Sequence, residues 1–286
     1  MKGNFRRRRF FDRLMTGLVF LAVVVAVVPL VLIVADVVIQ GGAQMSLSFL
    51  TNLPKPVGVS GGGIGNAIEG SAIIVGLASL IAVPIGVGAG IYFSEWPESR
   101  LSFISSFMND VLAEFPSITL GIFVYIVIVL TTRTFSAVSG GVALALIMIP
   151  IVARTTEESL KIVPISLREA SLALGIPRWK TVIRIVISTG RSGLATGILL
   201  SIARATGETA PLLFTAFGSN YYFNGNLLSP IAALPLLIYT YAISPFQQWQ
   251  AAAWGAALVL VAFMLILNLS VKLLIGRKFA GVRAEI

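Results

Sequence analysis

Apolar runs of about 20 residues or more, enough to cross a hydrocarbon core of about 30 Å as helix, recur along the whole chain. They lie near 14–40, 67–93, 103–132, 135–155, 190–217 and 249–273. In lipid, every backbone N–H and C=O must find its partner inside the element, which favours helices. The expected fold is therefore an all-α polytopic membrane protein with six transmembrane helices. Composition agrees: 57% of the 286 residues are hydrophobic and 12% are charged, about half the charged share of a soluble domain.

The chain has no Cys and no His, which removes disulfides, thiol catalysis, the usual zinc ligand sets and His-based proton relays. Its net charge of +9 is scattered between apolar runs rather than gathered in a patch, so it predicts no nucleic-acid partner. Lys and Arg in short loops instead orient a membrane protein. With both termini cytoplasmic, all of the 21 Lys and Arg residues except Lys55, Arg133 and Arg204 fall on the inner side. A seventh span would strand Lys272, Arg277, Lys278 and Arg283 outside.

The organisation expected is a basic cytoplasmic N-terminus (1–13), a first span (14–40), a Gly- and Pro-rich outer loop (41–66), a helical core (67–275) and a cytoplasmic C-terminus (276–286). The first apolar run is too long for a cleaved signal, whose apolar region is about 7–15 residues. Thr209 to Val271 carries no charge, and Pro230, Pro235 and Pro245 interrupt it. Segment 227–245 reads as re-entrant or interfacial, on the outer side. Asp36 and Glu69, near outer boundaries, read as solvated.

The inner loop contains "VPISLREASLALGIPRWKTVIRIVIS", residues 163–188. Ser166 followed by Glu169 predicts a capping box. Leu167, Ala170, Ser171 and Leu174 fall on one face, while Gly175 and Pro177 end the helix. A helix of two turns is too short to hold alone. It lies either on the protein's own surface or against a partner.

The stretch "ARATGETAPLL", 203–213, places Arg204 and Glu208 four apart inside an apolar run. A full charge at the centre of a membrane helix costs about 2.5–3.5 kcal/mol on insertion scales. At this spacing the two share a helix face and can pair. Two readings stay open: an ion pair that fixes helix register, or a pathway arginine for an anion. Guanidinium suits oxyanions because it stays charged and donates in a planar fork. Gly207 and Pro211 loosen the helix here.

Glu169-Ala170-Ser171, then Gly175 and Ile185, resembles the "EAA…G…I-x-L-P" loop of binding-protein-dependent ABC importer permeases. Three residues separate the triplet from Gly175 and nine separate Gly175 from Ile185. Ser171 stands for the second Ala, Ile187 for the Leu and Ser188 for the Pro. The last bears on how the loop turns into the fifth span. "ARATGETAPLLFTA" resembles the "R-A-x-G-E-T-A-P" segment of phosphate-specific ABC importer permeases, the A-type subunit in particular. "PIVARTTEESLKIVP" and "LAEFPSITLGIFVY" look like the same subfamily's flanking segments.

The resemblance implies a type I ABC importer permease core over 67–275, in the cell membrane, with inorganic phosphate as substrate. It implies a coupling helix over 165–176 that docks on a cytoplasmic ATPase through Glu169, with Ala170, Ser171 and Gly175. It carries Arg204, Glu208 and Arg154 over as substrate-pathway residues. The implied partners are a homologous second permease, two copies of the ATPase subunit and an external phosphate-binding protein. No cofactor is expected on this chain, since ATP would be bound by partner subunits; it has no "GxxxxGK[ST]" loop.

Other functions remain as alternatives: a permease for another oxyanion, an ion-coupled carrier, or an intramembrane enzyme acting through Asp110 and Glu114. Carriers commonly show duplicated halves, which this chain lacks. Metal or nucleophilic chemistry has little to work with here.

Overall fold

Small residues spaced four apart decide how this bundle packs. Ala78, Ala82, Gly86 and Gly90 form a buried stripe on the helix Gly65–Glu95. A Cβ built at Gly86 would lie 2.7 Å from the Val152 Cβ, and one at Gly90 would overlap the Ala153 carbonyl oxygen. Between helices in lipid the gain comes from close van der Waals approach, which such stripes permit. The facing helix, Ala137–Lys161, contributes Gly141 against Leu77 to the same seam.

The computed structural model describes residues 3–59 and 61–280, with side chains over 7–59 and 61–270. The helices that position the sites are, in chain order, α1 (Gly3–Gly42), α2 (Gly65–Glu95), α3 (Arg100–Glu114), α4 (Ser117–Thr132) and α5 (Ala137–Lys161). They continue as α6 (Ile165–Ala173), α7 (Arg178–Thr206), α8 (Ala210–Thr215), α9 (Leu234–Ala242) and α10 (Gln247–Ala280). Among the described residues five are long and apolar enough to cross a membrane, or six if the bent α3–α4 pair is one broken span. Among the described residues the only β pairing is an isolated parallel bridge between Phe217 and Ile231.

Two runs depart from the expected straight spans. The third, expected over 103–132, bends by 103° between α3 and α4. Pro116 disfavours the helical region for the residue before it, and Phe115 is extended at ψ 133°. The fifth, expected over 190–217, instead begins at Arg178 and ends at Thr206. With Ser188 where a proline would stand, a π-helical turn over Val182–Val186 feeds straight into the span. At its other end the chain breaks at Gly207 and restarts as α8, whose Pro211 sits in the first turn where no N–H is needed.

Segment 227–245, expected to be re-entrant or interfacial, forms no helix long enough to span. It contributes α9, whose Leu234, Leu236 and Leu237 are buried, and which packs against α2 and α10. The Leu234 N–H donates to Ser71 Oγ at 2.7 Å. Glu69 likewise serves the fold, accepting the Phe223 N–H at 3.1 Å.

The α2–α5 seam gives a stability test. Overpacking a close helix contact costs about 1–3 kcal/mol, and at Gly90 the obstacle is backbone, which cannot step aside. Gly90→Leu is expected to lower membrane abundance severalfold. Gly76→Leu is the control, because a Cβ there meets nothing within 4 Å. Immunoblotting of membranes reads both; equal abundance would contradict the seam.

Candidate translocation and coupling sites

Arg204 occupies the last turn of α7, not the middle of a continuous span. Its depth in the bundle is nevertheless central. α7 runs antiparallel to α5, with Gly193 against Ser159 and Gly197 against Thr155. About 10 Å further along α7, Arg204 comes level with the middle of α5. The span is thus interrupted half-way, and the interruption carries the charges. Arg204 lies at a helix C-terminus, where a cation is favoured, and Glu208 just before the next helix begins, where an anion is.

The pair is loose. Arg204 Nη2 and Glu208 Oε1 are 3.6 Å apart, with the side chains 61% and 16% exposed. That distance is an ion pair without a hydrogen bond. Among the described residues the Arg204 guanidinium makes no hydrogen bond, so its donors remain available to an anion.

Arg154 is placed differently. It sits near the end of α5, donating Nε to Glu158 at 3.1 Å and Nη1 to Glu157 at 3.2 Å. Lys161 Nζ reaches the other oxygen of Glu157 at 2.6 Å. Asp110 of α3 is within electrostatic reach of the same guanidinium. Arg154 therefore belongs to a charged ladder at the basic end of the bundle. Asp110 and Glu114 are exposed on α3.

A cavity of about 900 Å³ lies at the opposite end, around the loop from α8 to α9. Asn66, Phe217, Tyr221, Tyr222 and Tyr241 are among its lining residues, and no charged side chain lines it. An anion has nothing there to neutralise it, so the charge-bearing break at Gly207 remains the better candidate.

At the basic end, α6 begins directly after Pro164, which takes the N-cap position without a side-chain hydrogen bond. Ser166 is therefore inside the first turn, and the expected Ser166–Glu169 capping box does not form. Proline's fixed φ and missing N–H start the helix two residues early. The C-terminus is a full Schellman closure: Gly175 N–H donates to Leu172 O at 2.9 Å and Ile176 N–H to Ser171 O at 3.2 Å. Gly175 has φ +76°, so the left-handed conformation is what requires glycine.

The expected coupling residues divide between two faces. Glu169 and Ala170 are exposed, together with Ile165, Leu167, Leu172 and Leu174. Ser171 is buried and its hydroxyl meets Thr181 Oγ1 at 2.8 Å. It joins α6 to α7 rather than offering a surface, which accounts for a hydroxyl in place of alanine. Glu95, Arg168 and Arg178, which tie α6 and α7 to the end of α2, belong to none of the motifs in the sequence. Glu95 ends an apolar helix beside "WPES", a signal only of a boundary.

A family model described as "Binding-protein-dependent transport system inner membrane component" matches residues 82–279. The chain is 44% identical over 250 residues to a Yersinia pestis protein named phosphate transport system permease protein PstA, covering 87% of this chain and 84% of that one. It is 42% identical over 283 residues to a Haemophilus influenzae protein of the same name, covering 97% and 100%. A Methanocaldococcus jannaschii protein named probable phosphate transport system permease protein PstA is 38% identical over 261 residues, covering 90% and 91%. In fold, the chain resembles an inward-facing structure of the MetNI methionine ABC transporter, with a TM-score of 0.62 at 16% identity, covering 75% of this chain and 96% of that one. The chain belongs to the family of inner membrane components of binding-protein-dependent transport systems.

Proposed function

We propose that this chain is the membrane permease subunit of an ATP-driven importer and forms half of the translocation pathway for inorganic phosphate. The observation that carries it is the Arg204 guanidinium, 61% exposed yet level with the middle of the bundle. A charge at that depth facing lipid is costly, so a second subunit or a water-filled path must cover that side. The relatives named as phosphate transport permeases support the substrate, and guanidinium chemistry suits a tetrahedral oxyanion.

In this reading Arg204 meets phosphate in transit and Glu208 holds it in place between turns. Arg154, with Asp110 beside it, sets the charge at the cytoplasmic mouth. Glu169, Ala170 and the exposed leucines of α6 dock on a cytoplasmic ATPase, with the helix closed by Gly175. Both termini are cytoplasmic. The assembly contains one homologous second permease, two ATPase copies and an external phosphate-binding protein. Purification of the intact transporter tests this. An ATPase should accompany the chain, and native mass should give one copy of it per complex. Two identical copies, or no ATPase, would contradict the assembly.

A further inference from the structure

Glu95 closes α2 at the basic end with its carboxylate 5% exposed. Arg168, on α6, gives both Nε and Nη2 to Glu95 Oε1, at 3.2 and 3.1 Å. The same guanidinium donates Nη2 to Leu160 O at 2.9 Å and Nη1 to Val163 O at 2.6 Å. Leu160 lies in the last turn of α5 and Val163 just beyond its C-cap Ile162, and Leu160 O also accepts the Val163 N–H at 3.2 Å, so the guanidinium clasps the end of that helix. Arg178, the first residue of α7, donates to the Glu95 backbone oxygen and lies over the Trp96 ring, 4.8 Å from its centroid.

One arginine thus joins the outermost helix of the basic end to the terminal turns of both helices of the central seam. Its planar fork spreads donors on three nitrogens over a carboxylate and two carbonyls, whereas a lysine's donors all sit on one nitrogen. The nine-residue helix, flanked by Pro164 and the left-handed Gly175, is held to α7 by the Ser171–Thr181 hydrogen bond and to α2 and α5 by this arginine. α2 and α5 are locked to each other through Gly86 and Gly90, so they respond to α6 as one body.

We propose that the Glu95–Arg168 pair is the rigid link through which displacement of α6 is carried into α2 and α5. Arg168 is a positioning residue: it acts through Glu95 and the α5 terminus and touches neither phosphate nor ATP. This inference rests on the reading that α6 docks on the ATPase.

The test uses the intact transporter in proteoliposomes, with ATP hydrolysis and phosphate uptake measured on the same preparation. The wild-type complex must move phosphate with ATP; if it does not, the functional reading itself fails. Arg168→Gln and Glu95→Gln are expected to keep the ATPase subunits and to hydrolyse ATP. Phosphate moved per ATP should fall about tenfold or more, as for catalytic assemblies whose parts shift by about 1 Å. Arg168→Lys should recover part of that ratio, because it keeps the charge towards Glu95. Glu95→Gln keeps the side chain's shape and an acceptor oxygen, so it decides the matter should Arg168→Gln fail to assemble. An unchanged phosphate-per-ATP ratio overturns the proposal. Loss of the ATPase subunits from both variants also overturns it, making the pair a support for the docking helix only.

Discussion

Arg204→Gln is expected to cut phosphate uptake about tenfold to a hundredfold while the protein stays in the membrane at near-normal abundance. The side chain is 61% exposed and its guanidinium is 3.6 Å from Glu208, so little of the fold depends on it. Neutralising it leaves a carboxylate at the α8 entry, where helix polarity still favours it. A charge-assisted contact is worth about 1.5–3 kcal/mol, so losing one to the moving anion should slow transport about tenfold to a hundredfold. The double variant, Arg204→Gln with Glu208→Gln, separates the two readings of the pair. If the charges only fix helix register, removing both should be milder than removing Arg204 alone. If Arg204 meets the anion, the double variant should be as inactive as the single one. Arg204→Lys keeps the charge without the fork and should fall between. Uptake in cells, normalised to membrane abundance, reads all of these; substantial uptake by the double variant would assign the pair to architecture.

Glu169→Lys should uncouple the transporter with little effect on α6 itself. The N-terminus of that helix rests on Pro164, and no hydrogen bond from Glu169 caps it. Its side chain stands exposed among Ile165, Leu172 and Leu174. A reversed charge there acts on whatever docks, and like-charge placement at an interface costs several kcal/mol. ATPase association and phosphate uptake should both drop about tenfold or more, in proportion to that cost. Insertion into the membrane should be unchanged. Normal uptake with normal association would remove Glu169 from the docking surface.

Features governed by local chemistry are legible in the amino-acid sequence itself. The apolar runs locate the membrane helices because crossing lipid demands length and composition together. Gly175 and Pro177 announce the end of α6 because a left-handed closure followed by proline leaves no alternative. Gly207 and Pro211 signal the break near Gly207, but not its consequence, which is Arg204 at a helix end rather than mid-helix. The capping box misleads because Ser166 and Glu169 have the right spacing, while Pro164 starts the helix earlier. The bend at Pro116 is visible as a proline, though not as an angle.

Pairings across the chain are illegible for a different reason. Glu95 and Arg168 are 73 positions apart, and each looks like an ordinary charge at a membrane boundary. Only the α2–α5 seam brings them together. Ser171 looks like a small variation on an alanine, yet its partner Thr181 is supplied by a neighbouring helix. Arg154 resembles a pathway arginine, while the carboxylates that engage it one turn on are visible only as a charged "TTEES" stretch.

In the proposed transport cycle phosphate crosses beside Arg204 and a separate ATPase drives it. Proteoliposomes holding this chain with its second permease and ATPase, with the phosphate-binding protein on the outer side, test it most directly. Radiolabelled phosphate should accumulate only when ATP is present on the ATPase side, excess sulfate should not compete, and Arg204→Gln should reduce accumulation about tenfold to a hundredfold. Accumulation without ATP, preference for sulfate, or full activity in Arg204→Gln would contradict this pathway.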